Sequence, residues 1–139
     1  APPASSLLGL VSVLAPVIVT GNTAVVVASE TAPLPAITLA EVLATSDVPG
    51  GVVNLLTGRP AEIAPWLASH MDVNAIDLTG IGDPELATEL ETAAAENLKR
   101  VVRPPADAGG REPDWSADPG LDRLRAFLET KTVWHPVGI

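Results

Sequence analysis

The sequence predicts an α/β protein with an open parallel sheet of three to five strands, helices on both faces, and a C-terminal helix and strand arm. Three short apolar runs that suit buried strands lead to this class, at residues 24–27, 52–56 and 75–78. They recur roughly every 26 residues with helical segments between them, a distance that suits right-handed βαβ crossovers.

The first predicted helix covers an apolar segment without charges, residues 7–19, and ends at the Gly21-Asn22 pair. Gly and Asn readily adopt the positive φ that stops a helix. The run at residues 24–27 then follows as the first strand. Helical spacing of apolar residues predicts two more helices, at residues 37–46 and 61–69.

The fourth helix has the clearest start signal in the sequence. Asp83 is expected as the N-cap, Pro84 occupies the first helical position, and Glu85 lies near the positive end of the helix dipole. We expect this helix to run to about residue 97, and a further strand to follow at residues 99–103.

Polar and small residues follow the strands and mark a candidate ligand site. Glu30 follows the first strand, and Thr79 and Gly80 follow the third. In open α/β sheets, ligands bind at the carboxyl ends of the strands. The alternative is a solvated carboxylate at Glu30 and an ordinary strand-to-helix turn at Thr79 and Gly80.

The C-terminal part of the chain is predicted as a linker, a helix and a strand. Residues 104–120 are rich in Pro, Gly and Asp, with Trp115 as the only anchor, so the division is a first domain at 1–103, a linker at 104–120 and an arm at 121–139. The helix is expected at residues 121–129, with an edge at helical spacing formed by Leu121, Leu124, Arg125 and Leu128.

The arm ends in a β-prone triplet, Thr132, Val133 and Trp134. A strand of this length cannot stand alone, so it closes a sheet edge in this chain or adds to one in another chain. We therefore predict that the triplet is an interface, and Trp134 is the first choice among the tryptophans for a contact with a partner.

Composition excludes several classes of function. The formal charge of −9 with eight Lys and Arg argues against binding to nucleic acid or to an anionic membrane surface. Because the chain has no Cys, it has no disulfide, thiolate metal site or thiol nucleophile, which fits a cytoplasmic protein. His70 and His135 lack neighbours at ligand spacing, so no metal site is expected. Because the sequence does not begin with Met, we expect it to be a piece of a longer product.

Four segments together resemble the nucleotide-binding domain of the aldehyde dehydrogenase superfamily. They are LAPVIVTGNTAVVVASE, PLPAITLAEVLATSDVPGGVVNLLTG, DVNAIDLTG and AAAENLKRV, in family order over about residues 7–101. The closing LRAFLETKTVW resembles the C-terminus of these enzymes, where a strand adds to a neighbouring subunit. The resemblance implies a Rossmann-like fold, with the family's catalytic domain absent and residues 104–118 in its place.

The resemblance implies a degenerate cofactor site. Of the Lys and Glu that bind the adenosine ribose in the family, the Lys is replaced by Val27 and Glu30 is retained. In the pyrophosphate loop Thr79 and Gly80 are retained, while Ile81 and Glu85 replace a Ser and a Gly. A like charge about 5 Å from the phosphates costs on the order of 3 kcal/mol at a dielectric constant of about 20. No cofactor is expected, and NAD(P) binds only if this degenerate site still functions.

The leading hypothesis is a non-catalytic aldehyde dehydrogenase-like module, a pseudoenzyme that acts in subunit association or scaffolding. No catalytic residue is assigned, because the family nucleophile is a Cys and this chain has none. Its partner would be an aldehyde dehydrogenase subunit, its own missing segments, or a second copy. The alternative is a fragment or subunit of an NAD(P)-dependent oxidoreductase whose Cys lies on another chain. A third possibility is regulatory binding of a smaller nucleotide or metabolite beside Glu30.

Overall fold

Alternating helices and short parallel strands confirm the predicted α/β class in the computed structural model, which describes residues 1–103 and 112–136. The helices in these ranges are α1 (Leu8–Val19), α2 (Leu34–Ala44), α3 (Pro60–Ser69), α4 (Pro84–Ala95) and α5 (Asp122–Ala126). The strands are β1 (Ala24–Val27), β2 (Val53–Leu56), β3 (Ala75–Asp77) and β4 (Arg100–Val102).

Local signals explain where most elements begin and end. The helix α1 ends just before Gly21, whose φ of 83° is the left-handed conformation predicted for the stop. The helix α4 begins after Asp83, whose Oδ1 accepts a hydrogen bond from the Glu85 amide at 2.9 Å. The helix α2 starts at Leu34, three residues before the predicted start, because Pro35 is well tolerated in a first turn.

The strands form two parallel pairs where the sequence predicted one continuous sheet. In the first pair Ala24 of β1 lies opposite Val53 of β2, and in the second Ala75 of β3 lies opposite Arg100 of β4. Within the described residues no ladder joins β1 to β3. Instead, a cavity of about 580 Å³ separates these two strands.

Each strand pair has its own hydrophobic core. The first core joins α1, α2 and β1 through Leu10, Ala28 and Ala36. The second packs α3 and α4 over the other pair, and its buried members are Ala64, Ala68, Leu78, Ala87 and Leu90. Because most of these side chains are alanine, the helices approach each other closely and hold the loops that follow the strands.

The C-terminal helix differs from the prediction both in its length and in which of its side chains are buried. It has five residues, where nine were expected, and it packs on α1. The predicted apolar edge is wrong at Leu121 and Leu128, which are 58% and 47% exposed, whereas Phe127 is buried. The Phe127 carbonyl accepts a hydrogen bond from the Asn22 side-chain amide at 3.0 Å, so this end of the helix is held by the turn after α1.

Residues 132–134 form no strand with the described residues of this chain. Val133 and Trp134 are 67% and 88% exposed. The triplet was predicted either to close a sheet edge in this chain or to add to a sheet in another chain, and the second alternative stays a prediction.

Part of the predicted linker, residues 104–111, and the last three residues lie outside the described ranges. None of the described helices combines the length and apolar character that crossing a membrane requires.

Candidate functional site

The loop after β3 contains Thr79 and Gly80, and both the amide and the hydroxyl oxygen of Thr79 have hydrogen-bond partners. The Thr79 amide donates a 2.8 Å hydrogen bond to Oδ1 of Asp77, the last residue of the strand. The Thr79 hydroxyl accepts a 3.0 Å hydrogen bond from Nη2 of Arg123. Thr79 is buried, so both contacts are largely shielded from water.

Arg123 brings the C-terminal segment to the carboxyl end of β3. Its Nη1 donates a 2.7 Å hydrogen bond to Asp77 Oδ2, and the side chains of Arg123 and Asp77 are only 18% and 17% exposed. The guanidinium also lies 5.4 Å from the ring centroid of Trp115, a distance at which a cation–π contact is favourable. The Arg123 side chain thus donates hydrogen bonds to both the Asp77 carboxylate and the Thr79 hydroxyl.

The N-terminal residues cover Gly80. A Cβ atom placed on Gly80 would lie 2.7 Å from the Ala1 carbonyl oxygen, so only glycine fits against this backbone. The Ala1 amino group donates a hydrogen bond to the Val27 carbonyl at the end of β1. Residue 1 therefore bridges the ends of β1 and β3.

Two further side chains hold the N-terminal residues in this position. Glu112 accepts hydrogen bonds from the amides of Ala4 at 2.5 Å and Ser5 at 3.1 Å, and from the Trp115 indole N–H at 3.0 Å. The Ser29 hydroxyl donates a 3.1 Å hydrogen bond to the Pro3 carbonyl, and Ser29 is buried just after the end of β1. Residues 1–5, the covering segment, are therefore held by both Glu112 and Ser29.

Glu30 lies apart from the covered loop and is exposed. It forms an ion pair with Arg59, with the Arg59 Nε atom 3.9 Å from Glu30 Oε1 and both side chains more than half exposed. The structure therefore brings Thr79 and Gly80 together under the covering segment, while Glu30 faces water.

The two substituted positions of the pyrophosphate loop also differ in role. Ile81 packs against the core formed by α3 and α4, so its side chain is structural. Glu85 is exposed in the first turn of α4, and its amide is already bonded to Asp83. The N-terminus of α4 thus carries two carboxylates, which disfavour a bound anion.

Sequence reasoning missed the residues that fill this site. Asp77 was a possible signal, because it is a charged residue inside an apolar strand. No local pattern could pair it with Arg123, which lies 46 positions away, or Glu112 with Ala4, which lies 108 positions away. No group of three or more His, Cys, Asp or Glu side chains that could hold a metal occurs in residues 1–103 and 112–136.

Comparison with known proteins decides the family. A family model described as "Aldehyde dehydrogenase family" matches residues 5–113. The chain belongs to the aldehyde dehydrogenase family. This confirms the resemblance seen in the sequence, and the match covers most of this aldehyde dehydrogenase-family chain.

Two similar proteins show how much of the family this chain represents. An aldehyde dehydrogenase from Aspergillus niger is 34% identical over 104 residues, which cover 73% of this chain and 20% of that protein. The crystal structure of an aldehyde dehydrogenase from Bartonella henselae is 32% identical with a TM-score of 0.59, and the match covers 66% of this chain and 19% of that chain. The chain therefore spans about a fifth of the length of these aldehyde dehydrogenases.

Proposed function

We propose that this aldehyde dehydrogenase-family chain is a non-catalytic module that acts in subunit association or scaffolding. The observation that carries the proposal is the occupied cleft at the carboxyl ends of β1 and β3. Ala1 lies on Gly80 and Arg123 is bonded to Thr79, where the phosphates of a dinucleotide lie in sheets of this type.

The polar groups of the cleft support the same conclusion. Pyrophosphate binding uses free amide groups and small residues at a helix N-terminus. Here the amides of Thr79 and Glu85 are bonded to the carboxylates of Asp77 and Asp83. A phosphate would have to displace these carboxylates and would then lie beside their charge. Since the chain also has no Cys, it has no family nucleophile of its own.

The exposed triplet at residues 132–134 is the proposed association surface. Val133 and Trp134 expose most of their apolar surface, and the triplet pairs with no described strand of this chain. An extended segment of this kind can add to the open edge of another sheet through main-chain hydrogen bonds. The proposed partner is an aldehyde dehydrogenase subunit, the missing part of the same protein, or a second copy.

Size-exclusion chromatography with light scattering tests this proposal. The chain is expected to comigrate with a complete aldehyde dehydrogenase subunit or to form an oligomer by itself, and Trp134→Ala is expected to weaken the assembly. Trp66→Ala is the matched control, because Trp66 is 77% exposed but lies on α3. A monomer under all of these conditions, or equal assembly by both variants, contradicts the proposal.

A second candidate function is that of a fragment or subunit of an active NAD(P)-dependent aldehyde dehydrogenase whose Cys lies on another chain. Two observations favour it: Glu30 remains exposed at the end of β1, and the chain spans only about a fifth of its relatives. Isothermal titration with NAD separates the two functions. Binding in the micromolar range supports the second candidate, whereas no heat at millimolar NAD supports the first.

A further inference from the structure

The cavity between β1 and β3 has the size and lining of a small-molecule site. Its volume of about 580 Å³ lies within the usual range of about 300–1,000 Å³ for ligand pockets. Besides the two strands, α1 and α3 contribute to its walls. The lining is mainly apolar, and its larger side chains include Val13, Leu14, Val26, Leu67, Ile76 and Phe127.

One guanidinium in this lining has a buried nitrogen without a hydrogen-bond partner among the described residues. Arg100, the first residue of β4, lines the cavity, and its Nε atom is buried without a hydrogen bond in the described structure. The other arginines of residues 1–103 and 112–136 each have a carboxylate within 4.0 Å, and they are Arg59, Arg103, Arg123 and Arg125. Within these ranges Arg100 has none.

A guanidinium whose buried Nε lacks a hydrogen bond, in a mainly apolar cavity, favours an anionic ligand. Burying a polar group without a partner costs free energy, and a guanidinium pairs best with a planar carboxylate through parallel hydrogen bonds. Two carboxylates of the chain also border the cavity. Asp77 is bonded to Arg123, and Asp72 is exposed and forms no ion pair with Arg100. Among residues 1–103 and 112–136 no carboxylate pairs with Arg100, so its charge is available to a ligand.

We propose that this cavity binds a small carboxylate with a hydrocarbon body. Arg100 binds the carboxylate, and the apolar side chains from α1, α3 and the strands bury the hydrocarbon. The cavity also borders Ala1 and Gly80 of the covered loop, but the proposal rests on Arg100 and the apolar lining and does not depend on whether the chain binds a dinucleotide or associates with a partner.

Titration of the full chain with sodium octanoate, followed by calorimetry, tests the proposal. We expect saturable binding, weakened at least about tenfold in Arg100→Gln, because a charge-assisted pair is lost. Arg103→Gln is the matched control, since Arg103 lies just beyond the same strand but is bonded to Glu91 outside the cavity. This control is expected to bind octanoate like the unmodified chain.

A second variant separates the site from a purely structural role of Arg100. Val13→Phe keeps the guanidinium and fills part of the cavity, so it is expected to weaken octanoate binding as well. Octanol and inorganic sulfate should each bind at least tenfold more weakly than octanoate, because octanol lacks the carboxylate and sulfate lacks the hydrocarbon body. No saturable octanoate binding, unchanged binding by Arg100→Gln, or equal binding of octanol or sulfate overturns the proposal.

Discussion

Replacing Arg123 by Gln tests how strongly the C-terminal segment is held on the loop after β3. The guanidinium donates to Asp77 at 2.7 Å and to Thr79 at 3.0 Å, and its removal leaves a carboxylate that is only 17% exposed. Hydrogen bonds to charged groups contribute about 1.5–3 kcal/mol, and a fully buried unpaired charge costs about 3–5 kcal/mol. Because the pair retains some solvent access, we expect a loss of about 2–3 kcal/mol.

Urea unfolding followed by circular dichroism measures this loss. With a denaturant slope of about 2 kcal/mol/M, the midpoint should fall by roughly 1 M. The control is Arg125→Gln on the same helix, where the charges are 3.9 Å apart and the side chains are 71% and 98% exposed. That pair should contribute at most about 0.5 kcal/mol.

A double-mutant cycle identifies the partner of Arg123. Asp77→Asn keeps an acceptor for the Thr79 amide, so the coupling with Arg123→Gln reports mainly the ion pair. We expect a coupling free energy of about 1–2 kcal/mol. A loss for Arg123→Gln within about 0.5 kcal/mol of the control, or a coupling near zero, would refute the claim that this contact holds the segment in place.

Four further stability predictions, at Leu90, Leu98, Asp83 and Glu112, can be checked by the same urea assay. Leu90→Ala should destabilise the chain by about 2–5 kcal/mol, because the Leu90 side chain is 1% exposed in the core between α3 and α4. Leu98→Gly should stabilise the chain by about 1 kcal/mol, because glycine tolerates the positive φ of 57° at this position. Asp83→Ala should cost about 1 kcal/mol through loss of the N-cap of α4, and Asp83→Asn should restore most of it. Glu112→Ala should cost about 1–3 kcal/mol, because the amides of Ala4 and Ser5 and the indole of Trp115 lose their acceptor. Values near zero for the destabilising variants, or a loss for Leu98→Gly, would contradict the respective contacts.

The features that depend on neighbouring residues could be predicted from the sequence. The first strand was predicted at residues 24–27, where β1 lies, and the start of α4 at Asp83 and Pro84 is where the structure has it. Short β-branched runs, Gly stops and capping residues act within a few positions, so they are visible in the chain itself.

The arrangement of these elements in space could not be predicted from the sequence in the same way. Apolar runs indicate strands but do not say whether β1 pairs with β3, and here the two pairs remain separate. The apolar edge predicted for the C-terminal helix was wrong at Leu121 and Leu128, because a helix of five residues has too few positions to define an apolar face. Its buried side chain, Phe127, is determined by packing on α1.

The position of Thr79 and Gly80 in the fold was predicted, but the residues that contact them were not. Thr79 and Gly80 do follow β3 at the carboxyl end, as the apolar run before them indicated. Their partners come from Ala1 and Arg123, at opposite ends of the chain. Contacts over such separations depend on the whole fold, so no local pattern reveals that the loop is covered.

The central claim is that the chain's own residues occupy the loop where a dinucleotide would bind. A titration of the isotopically labelled full chain with NAD, followed through the amide resonances of Thr79 and Gly80, tests it directly. We predict no saturable shift of either amide up to millimolar NAD. A saturable shift of both amides with a Kd in the micromolar range would contradict the claim.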